Sequence, residues 1–386
     1  MKTESIWRIL ASVMLLLVLA ACQKQLLPDD TTNMKEKDLA GLAPAQAGLV
    51  STPIQVYGVW HAGNDYCTWA TERTVAEFDS KNHWIIDRGN GQPSVNVVVL
   101  SFVQPLKLLN KTNDANTVNG VPKGMTADIV NYFKSRGIRV MLSIGGITYT
   151  DYWNTALASN PTQLGLNAAA VAAQLGVGIE IDYEQSSRPN ITGLQQFINA
   201  YRSVHPYDAS GNNHAARLTI DLAAGDRWLI ELCRYATANW LTSANPVLDY
   251  ANAMVPSKQP TSAADATANW QEHIDGKPQY APPILPLAPA KFTGGLYLVK
   301  GKTASYECAS FAKSLQAACS TYVQTVLPNP KGPGVTPGML GYMFWAAEKP
   351  STRMTSTAPP NSCEGGIGAG ATAFNIPIPM PPLRQQ

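Results

Sequence analysis

Eight short runs of β-branched and apolar residues recur along this chain, each followed by a Gly/Pro/Asn-rich loop and then a stretch with helical spacing. They are 54–60 (IQVYGVW), 95–103 (VNVVVLSFV), 138–145 (IRVMLSIG), 176–183 (GVGIEIDY), 216–223 (ARLTIDLA), 248–255 (LDYANAMV), 293–299 (TGGLYLV) and 339–345 (MLGYMFW). Their starts lie 32 to 46 residues apart. That count and spacing match βα units closing into a single (β/α)8 TIM barrel, an α/β fold of about 250 residues plus insertions. An open doubly wound sheet is the rival architecture. Between the runs, 126–136 has an N-cap Thr126 and a stop at Gly137, and 161–175 opens on Pro161; both read as helices. So do 189–204, 226–241, 262–275 and 307–326, whereas the prolines of 277–290 make that stretch a loop.

The first 22 residues set Lys2 and Arg8 ahead of an apolar run from Ile9 to Ala21, a signal-peptide core and too short for a membrane span. The run ends Leu19-Ala20-Ala21-Cys22, which resembles the bacterial lipobox, and that resemblance implies lipidation at Cys22 and a membrane anchor. Gln23, rather than Asp, follows; in lipoproteins of this type that implies the outer membrane or cell surface, with plain secretion as the alternative. The expected organisation is a signal peptide over 1–21, a polar tether over 22–50, the barrel over 51–350 and a Pro/Gly-rich tail over 351–386 that either wraps the barrel or stays disordered. Beyond Cys22 there are five cysteines, Cys67, Cys233, Cys308, Cys319 and Cys363, an odd number whose pairing the sequence leaves open.

Charge narrows the function. Twenty-nine basic residues face 27 acidic ones, and no Lys/Arg cluster is interleaved with aromatics, so nucleic-acid binding has no support. The five histidines lack metal-ligand spacing and no phosphate-cradling glycine loop is present, so neither a metal nor another cofactor is expected.

Chemistry concentrates in the fourth run. Gly178, Glu180, Asp182 and Glu184 alternate there with Val177, Ile179, Ile181 and Tyr183, so a period of two puts three carboxylates on one face. In a parallel barrel the apolar face packs on helices, and the carboxylates point inward and climb towards the C-terminal rim. Crowded carboxylates cannot all ionise freely, which suits proton transfer. Taken in isolation, the same ExDxE is explained as well by the acidic solvent face of a half-exposed strand. Asp221 in the fifth run also points into the barrel or serves a structural ion pair. The third run ends Ser143-Ile144-Gly145-Gly146, glycines that mark a tight turn or a close approach.

Together, SIGG at 143–146, the ExDxE of 180–184, LDYANAM at 248–254 and GYMFW at 341–345 make residues 54–348 resemble glycoside hydrolase family 18, the chitinases and endo-β-N-acetylglucosaminidases. The resemblance implies a carbohydrate partner and a retaining, substrate-assisted hydrolysis of β-1,4-linked N-acetylglucosamine. Glu184 then matches the general acid/base, Asp182 the residue that orients the acetamido group, and Glu180 the residue that shares a proton with it. Trp345 matches the floor of the sugar subsite. Met254, Tyr57 and Phe102 are the remaining candidate substrate-binding positions. Three positions depart from the family pattern: Val177 stands for its first Asp, Glu180 for its second, and Pro256 for a strand-6 Tyr, for which Tyr149 or Tyr297 are candidate stand-ins. Tyr250 lies on the same strand face, deeper in the barrel. Two alternatives stand beside chitin hydrolysis: an endo-β-N-acetylglucosaminidase acting on N-glycans, and a non-catalytic chitin- or glycan-binding lectin on the same barrel.

Overall fold

The computed structural model describes residues 54–61, 74–223, 228–254, 260, 262–297, 339–345 and 362–383. The segments expected to be the signal peptide, Cys22, the tether and the helix 307–326 lie outside these residues.

Eight parallel strands close into a barrel: β1 (Val56–His61), β2 (Val97–Val103), β3 (Arg139–Gly145), β4 (Gly178–Asp182), β5 (Leu218–Ala223), β6 (Ala251–Met254), β7 (Phe292–Tyr297) and β8 (Gly341–Trp345). Each pairs with its neighbours in sequence, and β8 returns to β1 with Val56 opposite Gly341. This is the expected (β/α)8 barrel, and all eight runs contribute a strand.

Helices cover the outside: α1 (Val75–Asn82), α2 (Ala127–Lys134), α3 (Thr150–Ser159), α4 (Pro161–Leu175), α5 (Ile191–Val204), α6 (Ile230–Tyr235), α7 (Ala263–Asp275) and α8 (Ser362–Ala373). Their boundaries follow capping chemistry. Thr126, Asn160, Asn190 and Ser262 each accept a first-turn backbone N–H, and α4 ends on Gly176 in the left-handed region at φ 63°. One expected helix differs. The 226–241 pattern yields α6 followed by a π-helical turn over Ala236–Trp240. The wider turn accompanies full burial of Trp240, whose indole donates to Gln195 Oε1 on α5 at 2.7 Å.

The strands' outward residues and the inward stripes of the helices form the main core, including Val59, Val98, Leu142, Ile179, Ile181, Leu218 and Ile220. Burying each such side chain contributes roughly 1.5–3 kcal/mol, so most of the fold's stability lies in this outer layer. A smaller cluster of Val56, Trp60, Val97, Val99, Met141, Tyr250 and Met343 fills the barrel's lower interior. Part of the expected tail is built into this scaffold. Ile367 and Ala371 of α8 join the outer core, while Met380 and Leu383 join the inner cluster, and Met380 N donates to Gly137 O just below β3. Residues 362–383 therefore supply α8 and a strap across the N-terminal end of the barrel. That end also holds buried charge: Arg217 pairs with Asp249 at 2.8 Å, and Arg202 with the same carboxylate at 3.2 Å.

Candidate active site

The carboxylate row stands at the opposite, C-terminal end. β4 is fully buried, and its two faces separate as alternation requires. Val177, Ile179, Ile181 and Tyr183 belong to the outer core, and the Tyr183 hydroxyl is held by Asn154 Oδ1 and Asn190 N. On the inner face, exposure rises in steps: Glu180 0 %, Asp182 3 % and Glu184 9 %. The row thus climbs from a sealed interior to the rim. β4 ends at Asp182, so Glu184 stands two residues past the strand, at the start of the following loop.

Glu180 is anchored from two sides. Trp60 Nε1 on β1 donates to its Oε1 at 2.8 Å, and Asn252 Nδ2 on β6 donates to its Oε2 at 2.5 Å. Thr293 on β7 donates in turn to Asn252 Oδ1, which fixes the amide's orientation. Ser143 of the SIGG run is the register partner of Glu180 on β3. Burial pushes the Glu180 carboxyl up to about 7, against hydrogen bonds from Trp60, Asp221 and Asn252 that favour its ionised form. Trp60, Asn252 and Thr293 were not singled out in the sequence. Asn252 was the findable one, because period two places it on the same strand face as Met254.

Asp221 on β5 is 2 % exposed and faces the same interior. Its carboxyl is raised well above the ordinary range by burial and then by the charges of Glu180, Asp182 and Glu184. Among the described residues the charges that act most strongly on it are carboxylates, not the cation a structural ion pair needs.

The two glycines of SIGG explain how β3 and β4 can end side by side. Gly145 has φ 126°, and a Cβ there would come within 1.8 Å of Asp182 O and 2.4 Å of Trp153 Nε1. Trp153, fully buried on α3, donates its indole N–H to both Ile144 O and Asp182 O at 3.1 Å. Gly146 N completes the lock on Asp182 O at 3.0 Å. The backbone carrying Asp182 is thereby fixed by three donors or close contacts before any ligand arrives.

The aromatic candidates divide. Trp345, at the end of β8, is half-buried and packs against Phe102 at a ring separation of 5.6 Å. Phe102 lies against Gly146 on its other side, which makes it a support for Trp345 at the rim. Met254 closes β6 in phase with Asn252 and is half-buried. Tyr57 does not belong here. It is fully buried on the outward face of β1, its hydroxyl donating to Ile367 O at 2.8 Å and its ring against Phe344 and Phe374. The phase of β1 is set by Trp60, and three residues away Tyr57 must face the helices. Tyr149 ends a single 3-10 turn that follows Gly146, its ring 6.0 Å from that of the exposed Tyr152. Tyr250 sits below the polar layer, its hydroxyl 3.9 Å from Met141 Sδ. Pro256 and the Tyr297 side chain lie outside the described residues. Among the described residues, no group of His, Cys, Asp and Glu is arranged to hold a metal ion.

No protein-family profile matches the chain, and no curated protein matches it in sequence. Solved structures do. A glycoside hydrolase family 18 chitinase from Pseudoalteromonas aurantia superposes with a TM-score of 0.50 at 13 % identity, over 83 % of this chain and 99 % of that one. A chitinase from Rhizomucor miehei gives 0.46 at 13 % identity, covering 81 % and 98 %. A class V chitinase from Nicotiana tobaccum gives 0.43 at 16 %, covering 82 % and 99 %. The protein has a (β/α)8 fold of the family 18 chitinase kind.

Proposed function

We propose that this protein hydrolyses β-1,4-linked N-acetylglucosamine polymers with retention, using the substrate's own acetamido group as nucleophile. One observation carries the reading: the inner carboxylates rise from sealed Glu180 through Asp182 to the rim residue Glu184, at the same strand ends that carry the aromatic pair Trp345 and Phe102. The fold-mate from Pseudoalteromonas aurantia is itself a chitinase.

A chitin chain would lie across the rim with the apolar face of one sugar on Trp345. Glu184 protonates the glycosidic oxygen as the bond to the anomeric carbon breaks. The acetamido carbonyl oxygen attacks that carbon from the other side and forms an oxazolinium ion, whose positive charge the Asp182 carboxylate stabilises. Glu184, now ionised, takes a proton from the incoming water; the ring opens, and the acid is regenerated. With the substrate as nucleophile, the usual relation between carboxylate separation and stereochemistry does not apply. The Val177 departure is harmless to this scheme, because Val177 packs in the outer core, out of phase with the inner row.

The test is the configuration of the first product. Proton NMR of a chitin-oligomer digest should show the β-anomer before mutarotation; an initial α-anomer would exclude the acetamido mechanism. The envelope address is proposed from the sequence alone. Incorporation of labelled fatty acid, abolished by Cys22→Ala, tests it, and equal labelling of both proteins would refute it.

A further inference from the structure

Four carboxyl groups meet inside the upper barrel, one more than the motif of the fourth run supplies. The fourth is Asp221. On one side of β5, β4 presents Glu180, Asp182 and Glu184 to it, and all three charges act on it. On the other side, β6 places the neutral Asn252 opposite it in register, with Tyr250 two residues below. Glu180 has both oxygens occupied, by Trp60 and Asn252, and these are N–H donors that only an ionised or acceptor oxygen can satisfy. A proton placed on Glu180 would weaken the acceptor it sits on, so both bonds favour the ionised carboxylate. Asp221 hydrogen-bonds to Glu180, and among the described residues no N–H donates to its Oδ1. The proton shared by this pair therefore belongs on Asp221.

We propose that Asp221 is a positioning residue for the reacting carboxyls: it keeps a proton, gives it in a hydrogen bond to Glu180, and so removes one negative charge from beside Asp182 and Glu184. The inference rests on the hydrolase reading for its catalytic consequence, but the protonation itself does not. Asp221 exchanges no proton with the substrate. When Glu184 gives its proton to the glycosidic oxygen, the interior gains one negative charge, and a neutral Asp221 is what keeps that charge from adding to three others. As pH rises, Asp221 and Glu184 compete to ionise, and loss of the Asp221 proton makes Glu184 hold its own more tightly.

The test uses the full chain with Asp221→Asn, Asp221→Leu and Glu184→Gln. Infrared spectroscopy near neutral pH should show the carbonyl band of a protonated carboxyl in Glu184→Gln, where the acid itself cannot contribute, and its loss in the double variant Glu184→Gln/Asp221→Asn. On N-acetylglucosamine oligomers, Asp221→Asn should turn over within about tenfold of the wild type at its own optimum, with the alkaline limb of kcat moved to lower pH by roughly one unit. Asp221→Leu, with no group to bond Glu180, should be slower at every pH. Superposable pH profiles, or a band that persists in Glu184→Gln/Asp221→Asn, would overturn the proposal. A band that behaves as expected, with no turnover by the wild type, would support the proton on Asp221 and sink the hydrolase reading instead.

Discussion

Trp60 and Glu180 meet across the barrel interior, the indole N–H of one donating to the carboxylate of the other at 2.8 Å with both side chains buried. The bond ties β1 to β4 and holds the lowest member of the carboxylate row. Trp60→Phe keeps an aromatic ring but removes the indole N–H and part of its volume, leaving a buried carboxylate oxygen short of a donor beside a small void, so unfolding in urea should show a loss of at least roughly 1–3 kcal/mol. Unchanged stability would mean that the bond contributes nothing net.

Gly145 is the tightest point of the site. Gly145→Ala puts a methyl group against Asp182 O and Trp153 Nε1 and forces a side chain into a left-handed backbone at φ 126°. The strain of such a conformation is of order 1–3 kcal/mol, with the displaced carbonyl adding to it. The variant should melt earlier and lose turnover together, because the same backbone carries Asp182. Gly91→Ala, whose added methyl meets nothing within 4 Å although its φ of 76° is also positive, serves as the comparison and should leave turnover intact.

Stability should also report the buried acids. Glu180 and Asp221 both hold protons more tightly folded than unfolded. Their contribution is therefore full below the ordinary carboxylate pKa and declines as pH rises, for Glu180 up to about 7 and for Asp221 beyond it. Asp221→Asn cannot ionise, so it should gain stability relative to the wild type between about pH 5 and pH 8. Denaturation midpoints at the two ends of that window check the sign; a gap that shrinks with rising pH contradicts it.

On the proposed function Trp345 binds a sugar ring and takes no part in proton transfer. Trp345→Ala should weaken oligomer binding by roughly tenfold to a hundredfold, about 1.4–3 kcal/mol, with a smaller effect on kcat. Isothermal titration with Glu184→Gln, which binds without cutting, measures it directly. Affinity equal to that of the Trp-containing protein would place the sugar elsewhere on the rim.

The strands were legible in the sequence because their signals are local: a β-branched run, a glycine or proline after it, and regular spacing. The carboxylate row was legible for the same reason, since alternation alone orders Glu180, Asp182 and Glu184. Tyr57 misled because IQVYGVW carries aromatics in both phases, and only the contact of Trp60 with a residue 120 positions away fixes which phase faces inward. Helix α8 was hidden by its composition. SCEGGIGAGATA is rich in glycine, a poor helix former, and it is held by packing of Ile367 and Ala371 against the outer core. Trp60, Asn252 and Thr293 were invisible as a set because they come from three strands that only barrel closure brings together.

The central claim is that Glu184 is the acid at the rim. Release of reducing ends from N-acetylglucosamine oligomers, by residues 23–386 and by the same chain carrying Glu184→Gln, tests it most directly. The account predicts turnover by the first and, in the second, a loss of at least about a hundredfold with oligomer binding retained. Turnover that survives the substitution, or binding by both proteins without turnover by either, would contradict it.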